Sequence, residues 1–244
     1  MKATPALVQQ FAPTGVLRAS LNMGNPVLAH SRTCVEKPAG VSIDLARELA
    51  RELGVAATFL QFENAARSVE ALAAGKADVG FMAIDPLRAD SIQFTTAYVQ
   101  IEGAYLVPGD SPLTANEQVD QPGTTIVVGA GSAYALYLKR TLKHATMVEV
   151  PTSEAVVEAM LEGGRPVAAG VRQQLESDAK RVGGVRVLDG RFMVISQALA
   201  MPRERNAGAH AYLADFVERM KRTGFVAERL TRHGIQGARV ADAG

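Results

Sequence analysis

The feature that most constrains this chain is a regular alternation of short apolar segments with segments of helical period, which begins near Val16. Apolar runs of about four to eight residues are typical of buried strands, whereas apolar residues spaced three and four apart are typical of helices that pack on a sheet. Their alternation predicts an α/β fold in which helices cover a largely parallel sheet.

The alternation occurs twice along the chain. Its first round predicts strands at residues 16–22, 55–62 and 77–83 and helices at residues 44–53 and 65–74. Polar stretches at residues 108–112 and 120–123 then interrupt the pattern. The second round predicts strands at residues 125–128, 146–150 and 167–171 and helices at residues 132–141, 153–162 and 173–180.

Two such rounds predict two Rossmann-like lobes joined by a two-strand hinge, with crossings near residues 104–108 and 194–202. We expect a discontinuous first lobe of residues 1–107 and 200–244, and a second lobe of residues 108–199. Helices predicted at residues 207–222 and 225–233 would then pack on the first lobe.

Composition limits the function classes. The 26 Lys and Arg residues nearly balance the 25 Asp and Glu residues, so the net charge of +1 gives no reason to expect a nucleic-acid partner. We expect no membrane insertion, because no segment approaches the roughly 20 apolar residues of a spanning helix, and no signal peptide, because residues 1–10 lack an apolar core. Cys34 is the only cysteine and the histidines are widely spaced, so we expect no metal and no cofactor.

Residues 129–134 (GAGSAY) follow a predicted strand and open a predicted helix, as in a dinucleotide-binding turn. Tyr134 replaces the third glycine of that motif, which argues against a nucleotide site. Ser132 is the expected N-cap, and the backbone N–H groups of Ser132, Ala133 and Tyr134 would attract an anion to the start of the helix. A capped turn that binds no ligand is the alternative.

Residues 85–88 (DPLR) directly follow the third predicted strand, with Asp85 at an N-cap position and Pro86 at the first helical position. Arg88 is therefore expected at the carboxyl end of a strand, which is where ligands bind in open α/β sheets. Its guanidinium could donate two parallel hydrogen bonds to a carboxylate. The alternative is a solvated arginine in a short turn.

Three motifs point to a known family: residues 40–46 (GVSIDLA), 72–79 (LAAGKADV) and 85–95 (DPLRADSIQFT). Together with the order of segments from about Leu17 to about Leu230, they resemble the family 3 extracellular solute-binding proteins, which are the polar amino-acid receptors of ABC transporters. The resemblance implies the type II periplasmic-binding-protein fold, a small solute in the cleft between the lobes, an ABC transporter permease as partner, a monomer and a periplasmic location. A cytoplasmic location is the alternative if Met1 is the native start.

The resemblance also implies roles for individual residues. Arg88 matches the arginine that grips the α-carboxylate of the solute, and residues 131–134 match a turn whose amides assist it. Ala83 stands where relatives place a hydroxyl, and an aromatic platform is missing near Asn64. The largest departure is Arg172, which stands where an aspartate would accept the ammonium group of the solute.

A cation at position 172 would repel an ammonium ion about 4 Å away by several kcal/mol at an effective dielectric constant near 20. We therefore predict that Arg88 and Arg172 jointly hold an organic anion without a free ammonium group, with an amino-acid-like solute left open. The alternative is that Arg172 pairs with Glu176 along its helix and does not touch the ligand.

The other candidates depend on location. Asn22 and Asn25 follow the first strand and could hydrogen-bond a polar solute, although turn chemistry before Pro26 explains Asn25 nearly as well. The side chain of Tyr134 could cover the ligand. Weaker candidates are Glu102, Gln173 and Gln197.

The leading interpretation is a solute-binding protein without catalytic residues, whose lobes close on the ligand. One alternative is a cleft enzyme that resembles cyclohexadienyl dehydratases, in which Glu102 would have to reach the substrate as a general acid. Another is a detached ligand-sensing domain.

Overall fold

The computed structural model describes residues 3–30 and 38–244, so Cys34 lies outside the described residues. It divides the chain into two compact units, one of Met1–Gln100 with Ser196–Gly244 and one of Ile101–Ile195. The predicted lobe boundaries, after residues 107 and 199, therefore lie a few residues too late. Both boundaries fall inside long continuous strands, where no turn residue marks the change of unit in the sequence.

The elements alternate as the apolar pattern predicts. In the first part of the chain they are α1 (Pro5–Phe11), β1 (Val16–Asn22), α2 (Val41–Leu53), β2 (Ala56–Phe62), α3 (Ala65–Ala73), β3 (Val79–Ala83), α4 (Pro86–Ala89) and β4 (Ile92–Pro108). After a 3-10 turn at Asn116–Gln118 follow β5 (Thr125–Gly129), α5 (Ala133–Thr141), β6 (Thr146–Val150), α6 (Val156–Glu162), β7 (Val167–Val171), α7 (Arg172–Val182), β8 (Val185–Val187), β9 (Met193–Pro202), α8 (Ala207–Arg222), α9 (Phe225–Arg232) and β10 (Arg239–Val240).

In the first unit, β1 lies between β2 and β3 and pairs in parallel with both. The register Leu21↔Phe81 brings the carboxyl ends of β1 and β3 to the same edge of the sheet. On the other side β3 pairs antiparallel with β9. The core contains fully buried apolar side chains from the strands and from α2, among them Leu17, Leu45 and Leu49.

In the second unit, β5 lies between β6 and β7 and pairs in parallel with both, while β7 pairs antiparallel with β4. The core is closed by apolar side chains of α6 and α7, including Val157, Met160 and Leu175. The carboxyl ends of β5 and β7 share one edge, so the turn before α5 and the first residue of α7 both follow that edge.

The predicted C-terminal helices are present as α8 and α9, and both belong to the first unit. There α8 contacts α1 and α9 contacts α2. The sequence patterns did not predict α1, although Thr4 caps it and Pro5 occupies its first turn. Within the residues that the structure describes, no helix combines the length and the apolar character needed to cross a bilayer.

Candidate functional site

Arg88 is positioned by a short helix that starts immediately after β3. The carboxylate of Asp85 accepts a hydrogen bond from the backbone N–H of Leu87 at 3.0 Å, and Pro86 occupies the first helical position, so the predicted N-cap is confirmed. The Nη1 atom of Arg88 donates to the carbonyl oxygen of Ala83, the last residue of β3, at 2.9 Å. The guanidinium is thereby held at the carboxyl end of the strand.

Arg88 is only 5% exposed, so the alternative of a solvated arginine is wrong. Burial lowers the pKa of Arg88 to about 10, an effect that the nearby Asp85 carboxylate partly opposes. The side chain is therefore still charged at neutral pH. A buried guanidinium at a strand end is suited to an anion, because it offers planar paired donors in a medium that screens charge weakly.

Asn22 and Asn25 lie at the same edge of the first unit. The Oδ1 atom of Asn22 accepts from the backbone N–H of Gly24 at 3.1 Å, which closes a tight turn after β1. Asn25 is 9% exposed, and among the described residues its Oδ1 atom has no hydrogen-bond partner. Turn chemistry therefore does not explain the side chain of Asn25, because an Asx turn would use that oxygen.

These two asparagines line a recess within the first unit whose empty space, including the solvent at its mouth, is about 240 Å³. Its walls are formed by Leu21, Asn22, Asn25, Leu28, Ala29, Ser42, Phe81 and Gln197. Sequence patterns gave Gln197 little weight and missed Ser42. The available signal for Ser42 was a small polar residue within the otherwise apolar buried face of a helix.

The turn before α5 has the predicted cap. The Oγ atom of Ser132 accepts a hydrogen bond from the backbone N–H of Ala135 at 3.1 Å, which confirms Ser132 as the N-cap. Ala133 is the first helical residue, and N–H groups in the first turn have no acceptor within the helix. The backbone N–H of Ser132, predicted as a donor to an anion, instead donates to the carbonyl oxygen of Gly129 at 3.2 Å. The helix start at Ala133 and Tyr134 therefore presents the backbone donors at the carboxyl end of β5.

Tyr134 does not have the exposed side chain that covering a ligand requires. It is 2% exposed, and its hydroxyl donates a hydrogen bond to Ser153 Oγ at 2.8 Å within the second unit. Burial raises the pKa of Tyr134, so the phenol stays protonated at neutral pH. Only the backbone N–H of Tyr134 remains a candidate contact.

Arg172, the first residue of α7, is engaged by acceptors of its own unit. Its Nε atom donates to Glu102 at 3.0 Å and its Nη1 atom lies 3.6 Å from Glu176, while Nη2 donates to the carbonyl oxygens of Leu188 and Gly190. The predicted alternative, a pair with Glu176, is therefore present. Gln173 follows on the same helix and is half-buried.

Glu102 binds a second cation, Arg191, at 2.8 Å. The hydrogen bond from Arg191, followed by the one from Arg172, lowers the pKa of Glu102 and keeps it ionised. The two arginines together with Glu102 and Glu176 carry balanced charge. A cation at position 172 consequently does not make this part of the second unit strongly positive.

The predicted site residues thus fall into two groups. Arg88, Ala83, Asn22 and Asn25 share one edge of the sheet of the first unit. The other group lies in the second unit and consists of Ser132, Ala133, Tyr134, Arg172 and Gln173. Among the described residues, no cluster of three or more His, Cys, Asp or Glu side chains could hold a metal ion.

Comparisons with solved structures confirm the predicted type II periplasmic-binding-protein fold. A solute receptor for L-cysteine from Neisseria gonorrhoeae is 21% identical, with a TM-score of 0.79 and coverage of 92% of each chain. An amino acid ABC transporter substrate-binding protein from Streptococcus pneumoniae, bound to L-arginine, is 17% identical, with a TM-score of 0.77 and coverage of 92% of this chain and 96% of that one. An ancestral amino acid-binding protein, a precursor of cyclohexadienyl dehydratase, is 20% identical, with a TM-score of 0.78 and coverage of 92% and 97%.

A comparison with the curated proteins finds no match. The model of one protein family, in contrast, matches residues 26–235, which is most of the chain and includes the predicted site residues except Asn22 and Asn25. The motifs around Ser42, Asp78 and Arg88 all fall within this match. The chain therefore belongs to the bacterial extracellular solute-binding proteins of family 3.

Proposed function

We propose that this protein is the receptor of an ABC uptake system and binds a small, amino-acid-like solute through its carboxylate. The observation that supports the proposal is the buried guanidinium of Arg88, held by Ala83 at the carboxyl end of β3. Burial of a charged group is costly; the Asp85 carboxylate opposes part of that cost, and a bound carboxylate would offset more of it with charge-assisted hydrogen bonds. In this proposal the receptor acts outside the cytoplasm and delivers its solute to a permease.

The proposal assigns Arg172 a structural role in place of the predicted contact with solute. All three nitrogens of its guanidinium face acceptors of the second unit. Glu102 and Glu176 together balance the positive charges of Arg172 and Arg191. Repulsion between Arg172 and a solute ammonium group therefore no longer excludes a solute that carries one. Both amino acids and ammonium-free carboxylates therefore belong in the test.

The test is isothermal titration calorimetry of the refolded, ligand-free protein against amino acids, keto acids and dicarboxylates. We expect at least one carboxylate to bind, and Arg88→Ala to weaken it at least a hundredfold, because the variant leaves the carboxylate without its paired donors. Arg67→Ala is the matched control, since the Arg67 side chain in the same unit is 71% exposed. Equal binding by both variants would overturn the proposal.

A dehydratase activity is the competing function, because one structural neighbour is described as a precursor of cyclohexadienyl dehydratase. A general acid must carry a proton at the working pH. Glu102, the carboxylate considered for that role, has a lowered pKa and is bonded to two arginines, so it is a poor proton donor. We expect no aromatic product when the protein is incubated with prephenate, as monitored by ultraviolet absorbance.

A further inference from the structure

Asn25, which lines the recess beside β1, has a buried side-chain acceptor that no other described residue uses. Asn25 is 9% exposed, and within the described part of the chain its Oδ1 atom accepts no hydrogen bond. A buried oxygen without a donor costs about 1 to 3 kcal/mol, so such an atom is uncommon unless something binds to it. Because this atom is closed to solvent, the Asn25 side chain would turn toward the recess to accept a hydrogen bond from a bound group, and that bond would remove the cost.

Among the described residues, the lining of the recess also lacks the charge that an ionic group would require. Its polar wall consists of the amides of Asn22, Asn25 and Gln197 and the hydroxyl of Ser42, and none of the residues known to line it is ionisable. Ser42 is 3.1 Å from the hydroxyl of Tyr98, and burial raises the pKa of Tyr98, so this neighbour is neutral too. An ammonium or carboxylate group here would lose its water without gaining a counter-charge from the lining residues that the structure describes.

The recess is close enough to Arg88 to bind the other end of the same solute. Phe81 lines the recess, and Ala83, whose carbonyl holds Arg88, lies two residues further along β3 on the same face of the sheet. Two residues along a strand correspond to about 7 Å. A small solute with polar groups at both ends can span that distance.

We propose that this recess selects solutes whose end opposite the carboxylate is a small uncharged hydrogen-bond donor, such as a primary amide, with Asn25 as the specificity-determining residue. The inference rests on the proposed function, because it takes the solute carboxylate to be bound by Arg88. It adds to that function a discrimination against solutes that carry ammonium, guanidinium or carboxylate at the far end.

The experiment compares two pairs of solutes by isothermal titration calorimetry. Glutamine and glutamate differ only in an amide against a carboxylate, and glutaramate and glutarate form the same pair without an ammonium group. We expect the amide member to bind at least tenfold more tightly in whichever pair binds. Asn25→Leu should reduce that preference below threefold, whereas Gln61→Leu, which replaces an exposed amide on β2 of the same unit, should preserve it.

The outcomes separate this inference from the proposed function. Two results would overturn the inference and leave the proposed function standing. One is binding that requires Arg88 but is tighter for the carboxylate member of a pair. The other is a preference for the amide member that is unchanged in Asn25→Leu. Failure of all four solutes to bind also overturns the inference. The proposed function is then still tested by the other amino acids, keto acids and dicarboxylates, through the effect of Arg88→Ala on their binding. Binding that persists in Arg88→Ala overturns the proposed function. If Asn25→Leu does not fold, the affinity ratio of the unmodified protein still decides.

Discussion

Replacing Arg172 by methionine should destabilise the protein and leave its solute affinity nearly unchanged. Methionine keeps an apolar stem of similar length, so the loss is confined to the contacts of the guanidinium. The charge-assisted bond to Glu102 is worth about 1.5 kcal/mol, since both side chains are partly exposed, and the i,i+4 pair with Glu176 adds a few tenths of a kcal/mol. The sum of about 2 kcal/mol corresponds to a melting temperature about 4 to 8 °C lower in a chain of this size.

Differential scanning calorimetry measures the stability change, and titration calorimetry with the tightest carboxylate-bearing solute measures the affinity, which should stay within threefold. Lys180→Met is the control, because it removes an exposed cation from the same helix. The structural role of Arg172 would be refuted by an unchanged melting temperature together with a tenfold or larger loss of affinity. That result would mean that the guanidinium leaves Glu102 and meets the solute.

Three further predictions concern single groups. Ala133→Pro removes a backbone N–H at the first position of α5, where proline is tolerated, so titration calorimetry should show about tenfold weaker solute binding. Ala207→Pro, at the same position of α8, is the control and should leave the affinity unchanged. Equal losses of affinity in the two variants would refute a contact between the N–H of Ala133 and the solute. Glu102→Gln should lower the melting temperature at pH 7, and the difference from the unmodified protein should close below about pH 4. The reason is that a carboxylate whose pKa is lowered by folding stabilises the protein fully above the pKa of the unfolded state, and this stabilisation is lost as the pH falls through the pKa of the folded state. A difference in melting temperature that does not depend on pH would contradict the prediction. Asp78→Asn should cost about 3 kcal/mol in urea unfolding, because this fully buried carboxylate is bonded to Arg18 and a second arginine; a cost below about 1 kcal/mol would show that the pair is dispensable.

The parts of the fold that sequence predicts well are those decided by neighbours along the chain. Strands such as β3 are short apolar runs, and helices such as α2 have both a 3-4 spacing and a glycine, Gly54, in the left-handed conformation at their end. The caps at Asp85 and Ser132 follow the same logic, because the side chain bonds an N–H two or three residues away. Local rules suffice for such features.

The features that sequence patterns missed depend on residues far apart in the chain. Glu102 and Arg172 are separated by 70 positions, and Ser42 and Tyr98 by 56. Nothing in the local pattern indicates that either pair forms. The positions of the unit boundaries were also missed, because β4 and β9 continue through them without a turn.

Arg88 and Arg172 show why the type of one residue does not determine the charge that a ligand meets. Both are arginines that follow the carboxyl ends of strands, and from the sequence both are predicted to bind an anion. Arg88 is 5% exposed and has the Asp85 carboxylate nearby, whereas Arg172 contacts two carboxylates, Glu102 and Glu176, which balance its charge together with that of Arg191. Electrostatic attraction depends on the summed charge of all groups near the ligand. We therefore expect the solute carboxylate to bind at Arg88. The effect of position 172 on a solute ammonium group has to include the negative charge of Glu102.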